Sequence, residues 1–128
     1  MAGIPVGTPI PKETIPDPDR LYRWVPHEFT DKGKPNPGAF GHVDEDMSVD
    51  WSKYCSPEDT RKQSLRPAET GVVQMVAGEV RQVDALQVEH APEVSHPEHS
   101  LVLGITTPSI RRSLRKIATW AIAPPQDS

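Results

Sequence analysis

The clearest periodicity lies near the C-terminal end of the chain. Ile110, Leu114 and Ile117 recur at helical spacing with charged residues between them, and Thr107-Pro108 stands just ahead. Threonine caps a first turn through its hydroxyl, and proline suits the first helical position because its missing N–H would be unpaired there anyway. The pattern predicts an amphipathic helix opening at Pro108. Upstream, Leu101-Val102-Leu103-Gly104-Ile105 is a continuous apolar run, which predicts a central strand. Leu86, Val88 and His90 alternate with Gln87 and Glu89, the period of a strand with one buried face. Val72, Val76, Val80 and Val83 fall on one helical face. Their β-branching and Gly78 weaken that helix and leave a strand over Val72 to Val76 as the competing reading.

The first half of the chain is harder to organise. Eight prolines fall within the first 40 residues, and each fixes φ and removes a donor. The one element to expect there is Arg20-Leu21-Tyr22-Arg23-Trp24-Val25, short and aromatic-rich, which reads as an edge strand closed by Pro26. Residues 1–19 then form an extended Pro-rich arm, disordered or laid along a partner. Asp31 to Gly41 is turn-rich, Met47 to Trp51 is a short strand, and Ser56-Pro57-Glu58-Asp59 starts a helix cut short by Pro67. Trp120 to Ile122 is a last short strand before Pro124-Pro125. The sum is one small α+β domain over residues 20–123, with short strands, a C-terminal amphipathic helix, the extended arm and a tail at 124–128.

Composition narrows the classes. A chain of 128 residues, 35% hydrophobic and 5% aromatic, is sized for one domain. No apolar run approaches the roughly 18 residues of a membrane span, and Met1 to Ile10 lacks the basic and apolar regions of a secretory leader. The lone Cys55 has no internal disulfide partner, which points to a reducing, cytoplasmic setting. A formal charge of −4 speaks against coating nucleic acid by bulk charge. The charge is uneven, however. Residues 44–50 are strongly acidic, while Arg111, Arg112, Arg115 and Lys116 stand together with no acid among them. They read first as separate solvated patches.

An ordered set of short strings carries a resemblance. Leu21-Tyr22-Arg23 is followed by Ala39-Phe40, Met47-Ser48-Val49-Asp50, Pro97-Glu98-His99-Ser100-Leu101-Val102-Leu103-Gly104 and an Arg-rich helix ending in Trp120. Over residues 20–123 this resembles a group of small uncharacterised bacterial proteins, which implies a bacterial, cytoplasmic protein and supplies no catalytic residues. Leu21-Tyr22-Arg23 is also similar to the first strand of ADP-ribosyl-transfer and RES-type toxin folds.

Candidate chemistry gathers in three places. His90, His96 and His99 lie within ten residues among Glu89, Glu93 and Glu98, the residue types that ligate zinc. Pro92 and Pro97 make the segment an irregular loop, so a solvated loop is the first reading and a metal site the weaker one. His99 differs by sitting at the mouth of a strand, where it could serve as acid or base or simply brace the loop. The basic helix could reach phosphates through Arg111, Arg112 and Arg115, although Arg115 and Lys116 also suit the negative end of the helix dipole. Arg20, Tyr22, Arg23, Trp24 and His27 form the third cluster. Its ordinary reading is two packed aromatics, and its sharper one is Arg23 and His27 gripping a dinucleotide pyrophosphate in a pocket shared with Ser48. Cys55 reads as an idle thiol.

The leading expectation is therefore a non-enzymatic binding domain. It would join a protein or protein–nucleic-acid assembly through its arm and basic helix, with no cofactor and no membrane. The alternative is a small enzyme of nucleotide or nucleic-acid chemistry, a toxin-like transferase using Arg23, Ser48 and His99.

Overall fold

The computed structural model describes residues 10–125. Strand β1 (Arg20–Val25) forms as the sequence predicts, yet it runs through the middle of a sheet and not along its edge. Pro26 lies one residue beyond the strand, so its missing donor never falls within a ladder and both flanks of β1 are free to pair. On one flank β5 (Gly71–Val76) pairs along its whole length, from Arg20↔Val76 to Val25↔Gly71. On the other lies β4 (Met47–Trp51). Beyond β4 come β7 (His99–Leu103) and β6 (Gln87–His90), and beyond β5 comes β8 (Thr119–Ile122). The six antiparallel strands are ordered β6-β7-β4-β1-β5-β8.

A separate ribbon pairs β2 (Thr30–Asp31) with β3 (Lys34–Pro35) inside the segment read from sequence as loop. Its turn places Lys32 at φ 53° and Gly33 at φ 79°, the left-handed pair that matches the twist of a tight hairpin.

The sheet is covered on both faces. Leu21, Val49, Val73, Met75 and Val102 share one face and meet Val80 of α2 (Ala77–Gln82) and Ile110 and Leu114 of α3 (Pro108–Ile117). This is the core, and α3 buries the predicted stripe with Thr107 accepting from the Ile110 N–H. The valine periodicity over 72–83 proves to be two elements in succession. β5 takes Val72 to Val76, where β-branching favours extended backbone, and the helix is confined to Ala77–Gln82. The opposite face carries Tyr22, Asp50 and Gln74, and α1 (Pro57–Lys62) lies on it. That helix starts with a complete capping box between Ser56 and Asp59.

Residues 1–9 of the predicted arm lie outside the described residues. Residues 10–19 run along the domain itself. Ile15 is 1% exposed within the core cluster. Asp19 accepts from the Trp51 indole at 2.9 Å, and Asp17 pairs with Arg81 at 2.6 Å. Backbone N–H groups of Ala77 and Gly78 donate to the carbonyls of Asp19 and Asp17. Gly78 has a steric reason to be glycine, since a Cβ there would come within 2.9 Å of Asp17 Cβ.

Candidate functional site

The pairing of β1 with β4 is brief. It comprises Leu21↔Trp51 and Tyr22↔Asp50 and then stops. β1 nevertheless continues to Val25 against β5, and β4 extends back to Met47 against β7. The two central strands therefore part company beyond Tyr22, leaving backbone groups without a ladder partner. Arg23 takes over at this point. Its Nη1 donates to the Ser48 carbonyl at 2.7 Å and its Nε to the Ala39 carbonyl at 2.7 Å. One side chain thus bridges β1 to β4 at the fork and ties both to the turn at Pro37–Ala39. Burial pulls the guanidinium down to about 10, so it stays charged at neutral pH.

A cavity of about 230 Å³ occupies the fork, and Arg23, Ser48 and His99 all line it. Tyr22, Asp50 and Gln63 line it as well, and Trp24, exposed at 37%, stands on its wall. The registers Tyr22↔Asp50 and Asp50↔His99 lay three polar residues in a row across β1, β4 and β7. His99 Nδ1 donates to the Ala91 carbonyl at 2.8 Å, which fixes the ring and leaves Nε2 without a hydrogen-bond partner among the described residues.

Asp50 is 7% exposed, and its oxygen Oδ2 accepts from Thr60 Oγ1 at 2.8 Å and Gln63 Nε2 at 2.9 Å. Burial raises its carboxyl above the usual aspartate value, and the charge of Glu98 adds to the rise, against the two hydrogen bonds. The folded chain therefore holds this proton more tightly than the unfolded one. The group's contribution to stability is complete below the unfolded pKa and is lost as pH rises through the folded one. Asp50→Asn, which cannot ionise, is expected to melt higher than wild type at neutral pH, with the gap closing in acid. Thermal unfolding at the two pH values checks this, and a lower melting point for the variant at neutral pH contradicts it.

The other candidates sit elsewhere. His90 is packed within the domain against Trp51 and Tyr54, with Nδ1 accepting from the Glu13 N–H and Nε2 donating to the Pro97 carbonyl. His96 bonds Glu98 at 3.2 Å. The histidines so face separate partners, and among the described residues no three His, Cys, Asp or Glu side chains are grouped to hold a metal ion. His27 lies outside the fork and lines a second cavity of about 440 Å³ on the far side of Trp24 and Pro26. In α3, Arg111 Nε donates to the Pro37 carbonyl at 3.2 Å and Arg115 Nε to the Pro35 carbonyl at 2.7 Å. These arginines tie the helix to the loop before β4, while Arg112 and Lys116 are exposed. The acidic stretch divides, with Asp44, Glu45 and Asp46 on the surface and Asp50 inside. Cys55 is pushed up to about 12 by burial, so its thiol stays protonated and unreactive.

Sequence reasoning passed over Thr60 and Gln63, and it read Tyr22 as a packed aromatic and Asp50 as part of an acidic stretch. The period of β4 did hold a signal: Met47, Val49 and Trp51 share the core face, which puts Ser48 and Asp50 together on the other. No helix among the described residues is long and apolar enough to cross a membrane. Comparison with protein-family models, curated proteins and solved structures gives no match to this chain.

Proposed function

We propose that the chain is a small enzyme of nucleotide chemistry, a toxin-like transferase whose site is the fork between β1 and β4. One observation carries this reading: Arg23, Ser48 and His99, far apart in sequence, line a single cavity at the centre of the sheet. Arg23 supplies a fixed cation for a phosphate or pyrophosphate, because two backbone carbonyls already hold its plane. The Ser48 hydroxyl adds a polar contact at the rim. His99, its ring fixed by the Nδ1 bond to the Ala91 carbonyl, is the acid–base group of the site. Trp24 on the cavity wall offers a face on which a planar base can stack. The likeness of Leu21-Tyr22-Arg23 to the first strand of ADP-ribosyl-transfer folds makes NAD the ligand to try first.

The accessory-domain reading rests on the arginines of α3. Two of them have structural work at the Pro35 and Pro37 carbonyls, which favours the fork. Incubation of the purified protein with NAD is expected to release nicotinamide as water takes up the ADP-ribosyl group, at a rate cut about 100-fold or more in His99→Ala. Neither turnover nor binding of NAD by the wild type would sink the enzyme reading. It would favour a domain that joins a protein or nucleic-acid assembly through Arg111, Arg112, Arg115 and Lys116.

A further inference from the structure

Asp50 is satisfied on one side only. Thr60 Oγ1 and Gln63 Nε2 both donate to Oδ2, and no donor among the described residues reaches Oδ1. Nor is Oδ1 a sealed atom: the one fully buried side-chain atom without a partner among the described residues is Arg61 Nε. A carboxylate with one oxygen pinned by the protein and the other bare beside a cavity is set to accept from whatever enters. Glu98, 8% exposed, adds a second carboxyl behind it, joined through Gln63 Nε2 at 3.3 Å. Arg23 provides the positive charge of the same cavity. A carboxyl on one wall, with Glu98 behind it, and a guanidinium on another suit neither a bare polyanion nor a bare cation.

Building on the reading of the fork as a nucleotide site, we propose that Asp50 Oδ1 selects its ligand. It accepts from a hydroxyl or amine adjacent to the anionic group held by Arg23, so the ligand class is a phosphorylated sugar and not a plain phosphate ester. Asp50 acts by direct contact with the ligand. Its neighbours set the geometry: Thr60 of α1 and Gln63 at its C-terminal end hold Oδ2, and the strand partners Tyr22 and His99 flank it on either side. A cavity of about 230 Å³ is small beside the several hundred Å³ of an ordinary ligand pocket, which fits one sugar phosphate unit at a time.

Two probes of equal charge and length separate this from simple anion binding: ribose 5-phosphate, with its hydroxyls, and pentyl phosphate, without them. Calorimetric titration of the full chain is expected to show ribose 5-phosphate binding about tenfold tighter or better, the worth of a hydrogen bond to a charged group. Asp50→Asn is expected to erase that preference, with pentyl phosphate binding as well or better because a negative charge beside the anion is gone, and Arg23→Gln to weaken both. Carbon-13 carboxyl shifts of the wild type give the same answer without a variant, since the Asp50 signal should move with ribose 5-phosphate and stay with pentyl phosphate. Equal binding of the two phosphates, or an intact preference in Asp50→Asn, overturns the inference and leaves the site reading standing. Failure of the wild type to bind either phosphate or NAD overturns both.

Discussion

Arg23→Leu is expected to abolish ligand binding in the fork and to lower stability by about 1–3 kcal/mol. The side chain does two jobs that no hydrocarbon can take over. It satisfies the carbonyls of Ala39 and Ser48 where β1 and β4 separate, and it is the cation of the cavity. The stability cost falls mainly on the Ala39 side, because Ala39 is 4% exposed while Ser48 is exposed and water can replace its lost bond. Relief of the buried charge offsets part of that cost. Arg23→Lys separates the two jobs, since an ammonium keeps the charge but lacks the planar fork that spans two carbonyls. Urea unfolding and NAD titration on both variants test the account. Full ligand affinity in Arg23→Leu would contradict it.

Removal of residues 1–19 is expected to cost about 3–8 kcal/mol, much of the roughly 5–15 kcal/mol that a domain of this size has. Ile15 is fully inside the core, and losing such a side chain costs about 2–5 kcal/mol. The Trp51 indole N–H would lose Asp19, and a buried donor left unpaired costs a further 1–3 kcal/mol or so. The backbone bonds of Ala77 and Gly78 to the arm would also go. The ion pairs Lys53–Glu13 and Arg81–Asp17 are solvent-exposed and contribute little. Circular dichroism of the truncated chain on heating reads the effect, with Ile15→Ala as the milder variant. An unchanged melting curve would mean that this segment does not hold the core. The arm therefore makes a poor target for a loss-of-function deletion, because folding and any partner contact fail together.

Much of the element order was legible, because the signals were local. Ser56-Pro57 and Thr107-Pro108 are caps whose chemistry is complete within four residues, and both open helices where expected. The alternation at Leu86, Val88 and His90 became β6 with its buried and exposed faces as read. What was not legible depends on pairing between distant segments. The position of β1 inside the sheet follows from partners about 30 and 50 residues away, which no local pattern around Pro26 reveals. The role of residues 10–19 follows from Ile15 finding the core, an isolated apolar residue among prolines. Within the site, Arg23, Ser48 and His99 could be picked out one at a time as polar residues on or beside strands. Their meeting could not, because it depends on β1 and β4 separating after two pairs. Asp50 looked like one more acid in a charged run, and only burial distinguishes it from Asp44 and Asp46.

The most direct test of the fork as the ligand site is a nitrogen-15 amide titration of the full chain with ADP-ribose. The account predicts shifts concentrated at Tyr22, Arg23, Ser48, Asp50, Gln63 and His99, with Arg112 and Lys116 unmoved. Shifts confined to the exposed face of α3, or none at all, would contradict it.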